Sequence, residues 1–163
     1  MKVYLACSLT ESNDREIVQE IVKYLEGEGH QVLDEHVAHE NHRARFMENT
    51  GITLSGKSSE EIELIIRDTD LQWVRQAEVF IGLLFSVSAG ASIEYEHRRL
   101  LLELQRQGLL RKQLVSSELF LCIFLKEQKR SALLHAKGDM INREYVDNKE
   151  DALEVVKKHM RFF

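Results

Sequence analysis

The chain has 163 residues, 44% of them hydrophobic and 30% charged, which is the size and mixture of one folded domain with a real core rather than of two. A formal net charge of −5 argues against a polymer held along its phosphate backbone, which is gripped by excess Lys and Arg, but leaves room for one small anion at a helix N-terminus. The apolar stretch Val3–Cys7 is too short for a membrane span and acidic residues follow at once, so neither membrane anchor nor signal peptide is expected.

Short β-like runs alternate with longer helical patterns, which predicts a parallel sheet covered by helices on both faces. Val3–Cys7 is the first run. Ser12 or Asn13 is placed to cap a helix through Ile17, Ile21, Val22 and Leu25, which Gly27 and Gly29 end. Gln31–Leu33 is a second, short strand. Residues 34–57 are polar and show no clear period; with His30 just ahead they hold four histidines, and they read as a long loop with at most one helical turn, often a functional feature. Ser58 and Glu61 have the spacing of a capping box and open a helix whose Ile62, Ile66, Trp73 and Ala77 share a face.

Val79–Phe85 is nearly continuous in apolar residues, as a central strand buried on both sides should be. After the small stretch Ser86–Ser92, a helix runs from Ile93 to about Gln107. Leu119–Leu125 is another buried strand, Ser131–Ala136 a short helix, Met140–Val146 an edge strand and Lys149–His159 a closing helix. Cys7 and Cys122, each inside an apolar run, read as buried free thiols in a reducing compartment, cytoplasm or nucleus. Five strands with helical crossovers over residues 1–163 predict one three-layer α/β domain with the flavodoxin-like strand order 2-1-3-4-5. Ligands of such sheets sit beyond the C-terminal strand ends, at the switch between the first and third strands.

Three features converge on that point. The turn Ser88-Ala89-Gly90-Ala91-Ser92-Ile93-Glu94 lets a ligand approach the backbone and offers helix N–H groups to an anion. Glu94 there is either a catalytic carboxylate or one simply stabilised by the helix dipole. Asp70 lies at i+4 from Ile66 and i−3 from Trp73, on the apolar stripe, where a carboxylate must be paired, hydrogen-bonded or protonated. Arg67 is its obvious structural partner, and structural and catalytic readings are evenly matched. Tyr4, on the first strand, is a core aromatic or a site residue, and Ser8 just after it is placed to cap or to bind phosphate. The tight run His36, His39, Glu40 and His42 does not match a zinc signature. Lys126, Lys129 and Arg130 read as a solvated loop. No Walker loop, Rossmann fingerprint or serine elbow is present, and no cofactor or metal is expected.

Taken in order, the residues resemble the nucleoside 2-deoxyribosyltransferase superfamily, and within it most of all the 2′-deoxynucleoside 5′-phosphate N-hydrolases. The resemblance runs through Val3-Tyr4-Leu5-Ala6-Cys7-Ser8-Leu9, Val32-Leu33-Asp34-Glu35-His36-Val37-Ala38 and Asp68-Thr69-Asp70-Leu71-Gln72-Trp73. It continues through Ala77-Glu78-Val79, Ser88-x-Gly90-x-Ser92-x-Glu94, Leu121-Cys122-Ile123-Phe124 and Ser131-Ala132. It implies that Glu94 is a nucleophile at the anomeric carbon, that Asp70 protonates the departing base, and that Tyr4 orients or tunes the glutamate. Two carboxylates in different environments suit an oxocarbenium-like transition state. An apolar surround would keep Asp70 protonated, while Glu94 at a helix N-terminus would stay ionised.

Ser8, Ser88 and Gly90 match positions that surround the 5′-phosphate. Ser92 replaces a family glycine among the substrate-binding residues and narrows the space around the nucleophile. Ser131 matches a phosphate-side position supplied by a neighbouring subunit, so a homodimer with shared sites is implied. The implied substrate is a small nucleotide or nucleoside, with neither a nucleic acid polymer nor a membrane as partner. The chain departs from the family's Gly-Ser-x-Arg-Gly-Gly pattern at Cys7-Ser8-Leu9-Thr10-Glu11-Ser12, and Glu96 stands where the family has a glycine after the glutamate. The C-terminal asparagine motif of the transferases is not evident, which favours hydrolysis over base exchange. The alternatives are a deoxyribosyltransferase, a ribonucleotide N-glycosidase of the cytidylate-cleaving kind, and a nucleotide-binding module without turnover.

Overall fold

Val3 and Leu5 point to one side of the first strand and Tyr4 and Ala6 to the other, and this period of two organises the molecule. The computed structural model describes residues 1–7, 14–85, 89–110, 118–127 and 141–163. Strands β1 (Lys2–Cys7), β2 (Gln31–Val32), β3 (Val79–Leu84), β4 (Leu119–Leu125) and β5 (Asn142–Val146) form a parallel sheet in the expected order, β2-β1-β3-β4-β5. Helices α1 (Asp14–Gly27), α2 (His42–Thr50), α3 (Ser59–Gln76), α4 (Ala89–Arg106) and α5 (Ala152–Met160) complete the layers.

Val3 and Leu5, with Ile81 and Leu121, pack on Ile17, Ile21 and Leu25 of α1 and on Val156 and Met160 of α5. Tyr4 and Ala6, with Phe80 and Phe120, pack on Val74 of α3 and on Ala91, Tyr95 and Leu102 of α4. Every residue of β3 is buried, as its unbroken apolar run requires. Each fully buried side chain of this size contributes about 1.5–3 kcal/mol, so the sheet holds both helical layers in place. Among the described residues no helix is long and apolar enough to cross a membrane. Cys122 is a buried free thiol, whereas Cys7, expected buried as well, is only partly so.

Three boundaries differ from the sequence reading. Residues 34–57 are more ordered than a loop: a short 3-10 helix spans Glu35–Ala38, and α2 follows, closed by Gly51 at φ 70. No period announced α2 because it turns only Phe46 fully inward, onto Leu54 and Ile62. The fourth helix is already formed at Ala89, four residues before Ile93, because Ala91 packs into the same apolar stripe as Tyr95. The closing helix starts at Ala152, and Lys149 instead forms a buried ion pair with Asp14 at the start of α1. The capping box on α3 is present with both of its hydrogen bonds. The expected cap at Ser12 or Asn13 and the short helix Ser131–Ala136 lie outside the described residues.

Candidate active site

The period of the sheet puts Tyr4 on the α3–α4 side, 2% exposed, beneath the two helices that carry Asp70 and Glu94. Asp70 stands on α3 one turn before Val74, and Glu94 stands on α4 one turn before Arg98. Between the helices lies a cleft of about 210 Å³. Ile66, Arg67, Asp70 and Leu71 form one wall of it, and Gly90, Ile93 and Glu94 the other, with Glu63 at its edge. The Tyr4 hydroxyl donates a hydrogen bond to the Glu94 carboxylate. Just after β2, Asp34 is 3% exposed and its Oδ1 accepts the Leu5 N–H at 2.9 Å.

Burial dominates the proton affinities here. Asp70 is pushed up to about 8, first by burial and then by the neighbouring Glu94 charge. Its Oδ1 is buried with no hydrogen-bond partner among the described residues, so nothing stabilises its anion at that atom. Glu94 is pushed up to about 7 by burial, and the Tyr4 hydroxyl pulls the other way. Near neutral pH the pair therefore holds a protonated Asp70 beside a glutamate that ionises more readily. That order suits an acid–nucleophile couple and its reverse would not. Tyr4 itself is raised well above its ordinary value by burial, and then by Glu94, Asp34 and Asp70, so it remains a donor. Burial likewise raises Asp34, against the pull of its Leu5 hydrogen bond.

The sequence matches no protein-family model and no curated protein. Solved structures do share its architecture. A CMP N-glycosidase from Clostridium botulinum superposes with a TM-score of 0.57 at 13% identity, covering 98% of this chain and 100% of its own. A 2-deoxyribosyltransferase from Bacillus psychrosaccharolyticus superposes with a TM-score of 0.56 at 15% identity, covering 94% of this chain and 90% of its own. The likeness is one of fold.

Of the residues singled out in the sequence, Tyr4, Asp70 and Glu94 come together, and Gly90 lines the same cleft. Ser92 is half-buried on α4 and does not line the cleft. Ser8, Ser88 and Ser131 lie outside the described residues. Two expectations are corrected. Arg67 does not pair with Asp70; it bonds its exposed neighbour Asp68 at 3.0 Å, where the guanidinium stays hydrated. Nor does the helix dipole keep Glu94 fully ionised: with α4 formed at Ala89, Glu94 lies beyond the first turn, where the dipole fades and burial prevails.

His36 is buried against Phe46 and Trp73, at ring separations of 5.3 and 5.6 Å, and is used in packing. Among the described residues no three His, Cys, Asp or Glu side chains are grouped to hold a metal. Two buried charged residues are given no role by the sequence. Asp34 was signalled by a carboxylate directly following the apolar pair Val32-Leu33. Arg98 was signalled by its place on the stripe Ala91, Tyr95, Leu102.

Proposed function

We propose that this chain is an N-glycosidase that cleaves 2′-deoxynucleoside 5′-monophosphates to free base and deoxyribose 5-phosphate. The observation that carries the reading is the pair in the cleft: a carboxyl that keeps its proton beside one that gives it up more readily, with a tyrosine donor on the second. The Glu94 carboxylate attacks the anomeric carbon while the C–N bond breaks, and the Asp70 proton goes to the departing base. Water then gives its proton to the Asp70 carboxylate and its oxygen to the same carbon, which releases Glu94. The deoxyribose and the 5′-phosphate come from the sequence resemblance, and the two structural neighbours, one named for glycosidic cleavage and one for deoxyribosyl transfer, support the reaction class.

Base exchange is the second reading, because the transferase superposes as well as the glycosidase does. The test is incubation with a panel of deoxy- and ribonucleotides and nucleosides, with and without a free acceptor base, followed by chromatography of the bases. Hydrolysis without exchange is expected, and Glu94→Gln should cost at least about a hundredfold in turnover. A glycosyl adduct trapped on Glu94 would support the nucleophile, whereas near-normal turnover in Glu94→Gln would remove it. The resemblance at Ser131 further implies a homodimer.

A further inference from the structure

The buried stripe of α4 runs Ala91, Tyr95, Arg98, Leu102, and at its third position stands a guanidinium that is 0% exposed. Taking a cation out of water is costly unless hydrogen bonds replace its hydration. Here Nη1 donates to the Val74 carbonyl at 2.9 Å and Nη2 to the Ala77 carbonyl at 3.0 Å. These carbonyls close α3, at the end where helical carbonyls lack helical donors and where the dipole favours a cation. Burial lowers the guanidinium to about 10, which leaves it charged at neutral pH. Val74 lies four residues after Asp70, and Arg98 four after Glu94. The fork thus joins the two helices one turn beyond the carboxyl pair on each.

We propose that Arg98 is a positioning residue whose planar fork fixes the end of α3 against α4 and so sets the spacing of Asp70 and Glu94, an inference that rests on those two being the reacting pair. A methionine of similar length would fill the stripe without the desolvation cost. What arginine adds is two directed bonds to a single rigid group, which lysine cannot supply. Asp70 is faced by Glu94 from α4, Tyr4 from β1 and Asp34 from the segment after β2, with Arg67 and Glu63 of its own helix along the cleft. Its titration therefore reports how near Glu94 stands and how dry the cleft remains.

The test compares Arg98→Lys and Arg98→Met with the unaltered protein by carboxyl NMR titration, melting temperature and kinetics. In Arg98→Met the Asp70 midpoint should fall by at least about one pH unit as the helices part, with a smaller fall in Arg98→Lys. Turnover should drop at least about tenfold with KM changed less than about threefold, since misplacement by an ångström acts on the reacting geometry. Loss of melting temperature with unchanged Asp70 and Glu94 titrations would overturn the proposal and leave Arg98 as a brace only. Should Arg98→Met fail to fold, Arg98→Lys, which keeps the charge and one bond, decides alone. Shifted titrations in a protein that cleaves no nucleotide would uphold Arg98 and defeat the N-glycosidase reading instead.

Discussion

Asp70 and Glu94 are the same functional group in two surroundings: the Glu94 charge raises Asp70 further, and a hydroxyl pulls Glu94 back. Tyr4 donates to Glu94, while the Asp70 Oδ1 has no such donor among the described residues. With values near 7 and 8, activity should rise as Glu94 ionises and fall as Asp70 loses its proton, giving a narrow bell between them. Asp70→Asn should remove the alkaline limb with most of the turnover, and a base that leaves without protonation should recover much of the loss. Tyr4→Phe should move the acid limb upward by about one unit or more, the worth of a hydrogen bond to a charged group. Stability supplies an independent readout. An exposed aspartate ionises near about 4, so above that pH the unfolded chain releases a proton that the folded chain keeps until about 8. Across that window the raised carboxyl makes native stability fall as pH rises. Asp70→Asn should therefore raise the melting temperature at pH 8. A lowered melting temperature with an unchanged pH profile would mean a structural aspartate and no general acid.

The elements that were legible in the sequence are those whose apolar pattern matches their burial along nearly their whole length. The buried strands β3 and β4 and the amphipathic helix α1 are of this kind. Segments with a single anchor were not legible. α2 turns only Phe46 fully inward, and Phe46 is held by Leu54, Ile62 and the rings of His36 and Trp73. Phe46→Ala should cost about 3–5 kcal/mol if α2 belongs to the cooperative fold. Denaturant unfolding measures the cost and hydrogen exchange locates it; an unchanged midpoint would mean that α2 opens by itself. Within the site, Tyr4, Asp70 and Glu94 could be found because order along the chain and the i±3 and i±4 spacing around Asp70 carry information. The partners of Asp70 could not: spacing offered Arg67, and hydration of an exposed guanidinium decided otherwise. Arg98 shows in the sequence only as an arginine on an apolar stripe, and its role does not, because an inward arginine has meaning only when its acceptors, the last carbonyls of another helix, are in place.

At the scale of the whole molecule, a chain of net charge −5 with a small cleft between two helices suits a compact substrate rather than a polyanion. The outer surfaces of those helices are less polar than this charge suggests. Leu64 on α3 is 49% exposed, and Ile93 and Leu100 on α4 are 51% and 49% exposed. Ile93 also forms part of the cleft wall, so whatever covers these side chains would narrow the mouth of the site. A second copy is the occupant we propose, following the homodimer that the resemblance at Ser131 implies, and a two-fold interface would place each α3–α4 surface against its equivalent. Such an interface needs about 800 Å² from each partner, and apolar contact must outweigh repulsion between two like-charged copies. Light scattering should therefore give a dimer, and adding salt should strengthen it. Leu100→Glu, outside the cleft, should shift the protein to monomers and raise KM, with little change in the melting temperature of a dilute sample. A monomeric native chain with full activity, or a Leu100→Glu variant that stays dimeric, would remove α3 and α4 as the site of assembly.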